Sequence, residues 1–206
     1  MFSPTHPSLA PETEKVTVRP ARITDLPALV ELICQLFSIE TDFQVRPARH
    51  ARGLRLLLGA VRRGRAYVAV AERQGEVVGM ATVQIVVSTA EGARSGWIED
   101  VVVREDLRGA GIGTALMASI SHWAQTNGLA RLQLLTDRRN RLALAFYDRL
   151  AFQPTHMICL RTHCPARHGQ AAPPSANRGR ADQSPAQFRP RKLKKEQHVS
   201  SRFRAG

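Results

Sequence analysis

One stretch limits the fold more than any other: a strand-forming run that passes through a glycine-rich turn straight into a helix. Residues 97–114 read WIEDVVVREDLRGAGIGT. Val101, Val102 and Val103 favour an extended, pleated backbone. Ile112, Leu116, Ile120 and Trp123 then recur at helical spacing until Asn127-Gly128 stops them. Between the two lie Arg108, Gly109, Ala110, Gly111, Ile112 and Gly113. Glycines at such a junction let the backbone approach a ligand closely and adopt positive φ. The free N–H groups of the first helical turn, at the positive end of the dipole, favour a phosphate or pyrophosphate. Arg104 and Arg108 add charge-assisted partners. The Gly-x-Gly-x-Gly spacing is not the dinucleotide fingerprint, and no acidic ribose ligand follows at the expected distance. No Lys-Ser/Thr pair follows either, so a P-loop is excluded.

The rest of the chain alternates strand and helix signals. Residues 16–20 read as a short strand. Thr24 is expected to cap a helix whose Leu26, Leu29, Val30, Ile33, Leu36 and Phe37 share a face. A second helix spans about 47–63, with Leu54, Leu57, Leu58 and Val61 together, and ends at Gly64. Residues 66–71 and 77–87 are β-rich and flank a Gln74-Gly75 hairpin turn. Beyond the glycine turn and its helix, the pattern predicts a buried strand at 132–135, a short helix at 142–150 and a final strand at 152–160. The order is mixed α/β (α+β), with helices free to cover both faces of one sheet. No internal repeat is visible.

Composition sets the boundaries. At 206 residues and 43% apolar, the chain can bury one ordinary core. No run approaches the ~18 apolar residues of a membrane span. Residues 1–15 form a flexible, Pro-containing lead without a secretory apolar segment. Three cysteines, Cys34, Cys159 and Cys164, with no CxxC pair, argue against a disulfide framework and suit a reducing compartment, so a soluble cytoplasmic protein is expected. Cys34 sits on an apolar helix face and reads as core. The net charge of +13 is concentrated at the end, where residues 161–206 hold 11 Lys/Arg against 2 Asp/Glu. Residues 164–206 are therefore expected to be a basic, disordered tail after a folded domain at 16–163. The run 189–195 (RPRKLKK) could touch nucleic acid or acidic partners weakly, yet it lacks interleaved aromatics. His156, Cys159, His163, Cys164 and His168 invite a zinc reading. Their spacing fits no ligand pattern, and His156 and Cys159 would face opposite sides of a strand, so no metal is expected.

Arg108-x-x-Gly111-x-Gly113, following Glu99-Asp100-Val101-Val102-Val103, resembles the acetyl-CoA motif of the GNAT superfamily of N-acetyltransferases. Asn140-x-x-Ala143-x-x-Phe146-Tyr147-x-x-x-Ala151-Phe152 is similar to that family's second signature, although the family commonly has glycine where Ala151 stands. The resemblance implies a single domain with a central mixed, mainly antiparallel sheet flanked by helices. It implies acetyl-CoA as the acyl donor. Gly109, Ala110, Gly111, Ile112, Gly113 and Thr114 would hold the pyrophosphate beside Arg108, and Asn140 would help to fix the cofactor arm. The edge of Val101, Val102 and Val103 would pair with the pantetheine, and an N–H near Val101 would stabilise the oxyanion. Glu99 matches the family's general base and Tyr147 its general acid. Strand alternation turns Asp100 to the opposite face, which makes it the weaker base.

These roles describe an N-acetyltransferase that moves an acetyl group to a primary amine of a small molecule by direct attack. Glu40, Asp42 and Phe43, between the first two helices, would meet a cationic acceptor. Arg46, Arg49 and Arg52 could instead greet a phosphonate or carboxylate. Leu32-Ile33-Cys34-Gln35-Leu36, Asp42-Phe43 and Gly75-Glu76-Val77-Val78-Gly79-Met80 are also similar to the aminoalkylphosphonate acetyltransferase branch. Two other readings stay open: a protein or peptide N-acetyltransferase docked by the basic tail, and a non-catalytic module binding acyl-CoA or nucleic acid. The sequence leaves a homodimer open and gives no reason to expect a membrane partner.

Overall fold

Alternation along one strand, β2 (Ala66–Arg73), sets the two faces of the molecule. The computed structural model describes residues 15–40 and 42–162. On β2, Tyr67, Ala69 and Ala71 point to one face and Val68 and Val70 to the other. The first face packs against α3 (Ile112–Thr126) through Ile112, Leu116, Met117 and Ile120. The second packs against α1 (Leu26–Ile39) and α2 (Pro47–Arg62) through Leu29, Leu32, Ile33, Leu54 and Leu58. Small residues at 69 and 71 make room for the bulky helix side chains on the α3 face. The expected architecture, one mainly antiparallel sheet between helices, is what the chain forms.

The sheet runs β1-β2-β3-β4-β5. β1 (Thr17–Pro20), β2, β3 (Glu76–Ser88) and β4 (Ala93–Val103) are antiparallel neighbours, and β5 (Leu132–Gln133) joins β4 in parallel. Gln74 and Gly75 both have positive φ, the two-residue turn that matches strand twist. At the start of the chain Asp25 is 8% exposed and accepts two bonds from Arg19, at 2.8 and 3.0 Å. Asp25 also accepts from the Arg22 N–H at 2.6 Å. The Arg19 guanidinium holds its carboxyl below the usual range.

Three local expectations need correction. Thr24 does not cap α1: it lies inside a 3-10 turn, Ile23–Asp25, and Asp25 is the residue at the helix entrance. The strand expected at 132–135 is only two residues long. Gly96 and Trp97 are its partners, after which it parts from β4 and leaves Leu135 55% exposed. Residues 152–160 form no strand: among the described residues no neighbouring strand bonds them, Pro154 lacks an N–H, and Met157, Ile158 and Leu160 are exposed. Cys34 is half-buried and Cys159 exposed. With no strand there, alternation does not set His156 and Cys159 on opposite faces. Among the described residues no group of three or more His, Cys, Asp or Glu gathers as a metal site, and no helix is long and apolar enough to cross a membrane. His163, Cys164, His168 and the basic run 189–195 lie outside the described residues, as do residues 1–14 and Thr41.

Candidate active site

The site begins with an irregularity in β4. Ala81 faces Val101 and Val83 faces Ile98, so Thr82 alone stands opposite two residues, Glu99 and Asp100. This is a β-bulge, in which the extra residue shifts the side-chain alternation. Thr82, buried on β3, pins it by accepting from the Asp100 N–H at 3.0 Å. Ile98, Val101 and Val103 consequently pack on the α3 side and Val102 on the α1/α2 side. Glu99 and Asp100 both face α1 and α2, contrary to the alternation expected for a regular strand. Nothing in the Glu-Asp pair itself announces the bulge, which depends on β3.

The two carboxylates line a cavity of about 280 Å³. Its apolar wall comes from Ile33 and Phe37 of α1 and from Leu54 and Leu57 of α2. α2 also contributes Arg49, His50 and Gly53, positions that recur on one helical face. Of Arg46, Arg49 and Arg52, Arg49 alone lines this cavity. Arg46 donates to Gln44 Oε1 at 2.6 Å, and Arg52 is exposed. Phe43 stacks on Phe37 with centroids 4.7 Å apart, and His50 meets the same ring edge-on at 5.0 Å. His50 Nε2 accepts from the Arg46 N–H at 2.7 Å.

The carboxylates differ in environment. Glu99 is exposed and accepts from Gln84 Nε2 at 3.0 Å. No described side chain donates to the Asp100 carboxylate. Burial, then the like charges of Glu99 and Glu40, push Asp100 up to about 7. Glu40, at the end of α1, also acts on Tyr147, whose phenol burial and that charge push up to about 12. Asp100 and Tyr147 thus feel the same carboxylate. Asp42 reaches across in the same manner, and its charge acts on Arg139, just before α4 (Arg141–Arg149).

The glycine-rich turn is open as the sequence requires. Gly109 and Gly111 have φ of +82° and +81°, and no other side chain or backbone crowds the space a Cβ would take. Gly111 caps α3 without a side-chain bond, leaving the first-turn N–H groups of Ile112, Gly113 and Thr114 to a ligand. Gly113 is small for another reason. A Cβ there would meet the Phe146 ring at 3.3 Å, so its absence lets α4 approach α3. Arg108 is exposed beside the turn and donates from Nε to the Val103 carbonyl at 3.2 Å. Arg104 is not the free phosphate partner expected, being paired with Asp106 at 2.8 Å and Glu76 at 3.1 Å. Because β5 leaves β4 after Trp97, residues 101–103 have a strand partner on the β3 side only. Asn140 caps α4, its Oδ1 accepting from the Ala143 N–H at 3.0 Å. Tyr147 lies between Phe146 and Phe152, with ring centroids 5.1 and 5.8 Å away.

Residues 29–152 match the acetyltransferase (GNAT) family. An aminoalkylphosphonate N-acetyltransferase of Salmonella typhimurium is 30% identical over 139 residues, 68% of this chain and 86% of the relative. A glucosamine 6-phosphate N-acetyltransferase of Trypanosoma brucei brucei is 35% identical over 80 residues, 38% of this chain and 52% of the relative. An aminoglycoside N-acetyltransferase solved with CoA shares the fold, with a TM-score of 0.64 at 21% identity over 76% of this chain and all of that one.

Proposed function

The chain belongs to the acetyltransferase (GNAT) family and is an acetyl-CoA-dependent N-acetyltransferase, and we propose that its acceptor is a small primary amine bearing an anionic group, such as a short aminoalkylphosphonate. The supporting observation is the cavity that joins the β4 carboxylates to Arg49 across apolar walls. An ammonium suits the first and a phosphonate the second, with a short alkyl linker between. The name of the Salmonella relative points the same way. Glu40, Asp42 and Phe43 close the acceptor side, Phe43 by holding Phe37 in the wall and the two carboxylates by adding negative potential.

Acetyl-CoA supplies the activated acyl carbon. The N–H groups from Gly109 to Thr114 hold its pyrophosphate, with Arg108 beside them. The free edge at Val101, Val102 and Val103 hydrogen-bonds the pantetheine, and the adjoining N–H stabilises charge developing on the thioester oxygen. Asn140, as the cap of α4, sets the start of the helix that carries Tyr147. The β4 carboxylates, Glu99 among them, draw in the ammonium, and one of them accepts its proton. Tyr147 donates a hydrogen bond to the departing sulfur.

The test incubates the full-length protein with acetyl-CoA and amine pools grouped by charge, reading acetylated product by chromatography with mass detection. Turnover is expected for aminophosphonates. Arg49→Met should raise KM for them by about tenfold, one charge-assisted contact, while leaving uncharged amines unaffected. Turnover confined to polyamines or to peptides would reject this acceptor.

A further inference from the structure

Resting on that reading, we infer that Asp100, and not Glu99, is the group that takes the proton from the acceptor ammonium. The bulge opposite Thr82 is what makes this available, since it turns a residue that a regular strand would send to the α3 core into the acceptor cavity. The two carboxylates are then unequal in a useful way. Glu99 is solvated and already holds the Gln84 amide. Asp100 is half-buried, has no side-chain donor among the described residues, and is fixed in place through its own N–H on Thr82. A proton acceptor works best when its affinity lies near the working pH, and an ordinary solvated carboxylate binds protons too weakly by about three orders of magnitude.

Burial and two like charges raise Asp100 into the useful range. The charged and titratable groups facing it are Glu99 on its own strand, Glu40 at the end of α1, and Arg49 and His50 on α2. The two carboxylates raise its proton affinity, and the His50 ring accepts the Arg46 N–H at Nε2. In the step itself, the ammonium N–H bond breaks and its proton passes to the Asp100 carboxylate. The freed lone pair forms the N–C bond to the acetyl carbon, and the C–S bond breaks with its electrons on sulfur. The amine gives its second proton to water as the amide forms, the thiolate takes one from water while Tyr147 donates a hydrogen bond to it, and Asp100 releases its own to water. The net products are amide, thiol and one proton.

The experiment compares full-length wild type, Asp100→Asn and Glu99→Gln with 2-aminoethylphosphonate, or with whichever pool amine is turned over, from pH 5.5 to 9. Wild-type kcat/KM should rise with pH through a midpoint near 7. Glu99→Gln should move that midpoint to lower pH by roughly half to one unit, because a like charge is gone. Asp100→Asn should abolish the rise and lower the rate by about 10²–10³-fold. Aminooxymethylphosphonate has the same length and an amine already uncharged at neutral pH, so it should recover most of the Asp100→Asn loss. A merely structural role for Asp100 would give no such recovery. A carbon-13 carboxyl titration, assigned by the Asp100→Asn difference, should give a midpoint near 7 without any acceptor present. Loss of the pH rise in Glu99→Gln with its retention in Asp100→Asn, or an Asp100 titration below pH 5, would overturn the inference while leaving the acetyltransferase reading intact. Failure of wild type on every amine would overturn both.

Discussion

In the proposed mechanism Tyr147 suits the donor of a hydrogen bond better than the giver of a whole proton. Its phenol is held near 12 by burial and by Glu40, whereas a free thiol sits near 8.5. Complete transfer to a thiolate is uphill by about 3–4 pH units, or roughly 5 kcal/mol. In the proposed mechanism its contribution is therefore a hydrogen bond to a sulfur that is gaining charge, worth about 1.5–3 kcal/mol. Tyr147→Phe should lower kcat by about ten- to a hundredfold with little change in KM for acetyl-CoA, measured under saturating acceptor. A loss of 10⁴-fold would mean that proton transfer from this phenol is obligatory. Because the phenol stays protonated through the physiological range, no falling limb below pH 10 should trace to it.

At the scale of elements, α4 ends on a residue in the left-handed region. Ala151 has φ +62°, and the Phe152 N–H returns to the Tyr147 carbonyl at 3.0 Å, the closure that usually falls to glycine. An L side chain there costs about 1–2 kcal/mol, partly offset by the greater unfolded freedom of glycine. Ala151→Gly should therefore stabilise the fold by about 1 kcal/mol in urea denaturation, with Tyr147 left in place. The helices and the first four strands were legible because each carries its own period: Leu29, Ile33, Leu54 and Leu58 recur as a buried helix stripe must, and Tyr67 to Ala71 alternate. The glycine turn was legible for the same local reason. What escaped was everything set by a neighbour. Whether residues 132–135 and 152–160 form strands depends on what lies beside them, and the direction of Asp100 depends on Thr82, 18 residues upstream. Leu132 to Leu135 and Met157 to Leu160 are apolar enough to suggest strands, yet apolar composition does not supply a hydrogen-bonding partner.

For the molecule as a whole, every candidate site residue lies at or before Tyr147, on the sheet, its helices or the turns that join them. A chain ending at Thr162 should therefore keep its kcat/KM for a small amine within about twofold. A larger loss, seen with peptides but not small amines, would assign residues 163–206 to acceptor docking. The parting of β5 from β4 has a broader effect. On the proposed cofactor reading, a sheet whose fourth strand ends in an unshared edge is completed by an extended pantetheine lying along it, so the cosubstrate would double as a missing rung of the scaffold. Anything that binds only the folded chain deepens its free-energy well, by about 2.7 kcal/mol at a hundred times its dissociation constant. On that reading the resistance of this protein to heat would rise with the CoA and acetyl-CoA around it, since both carry the pantetheine and the pyrophosphate.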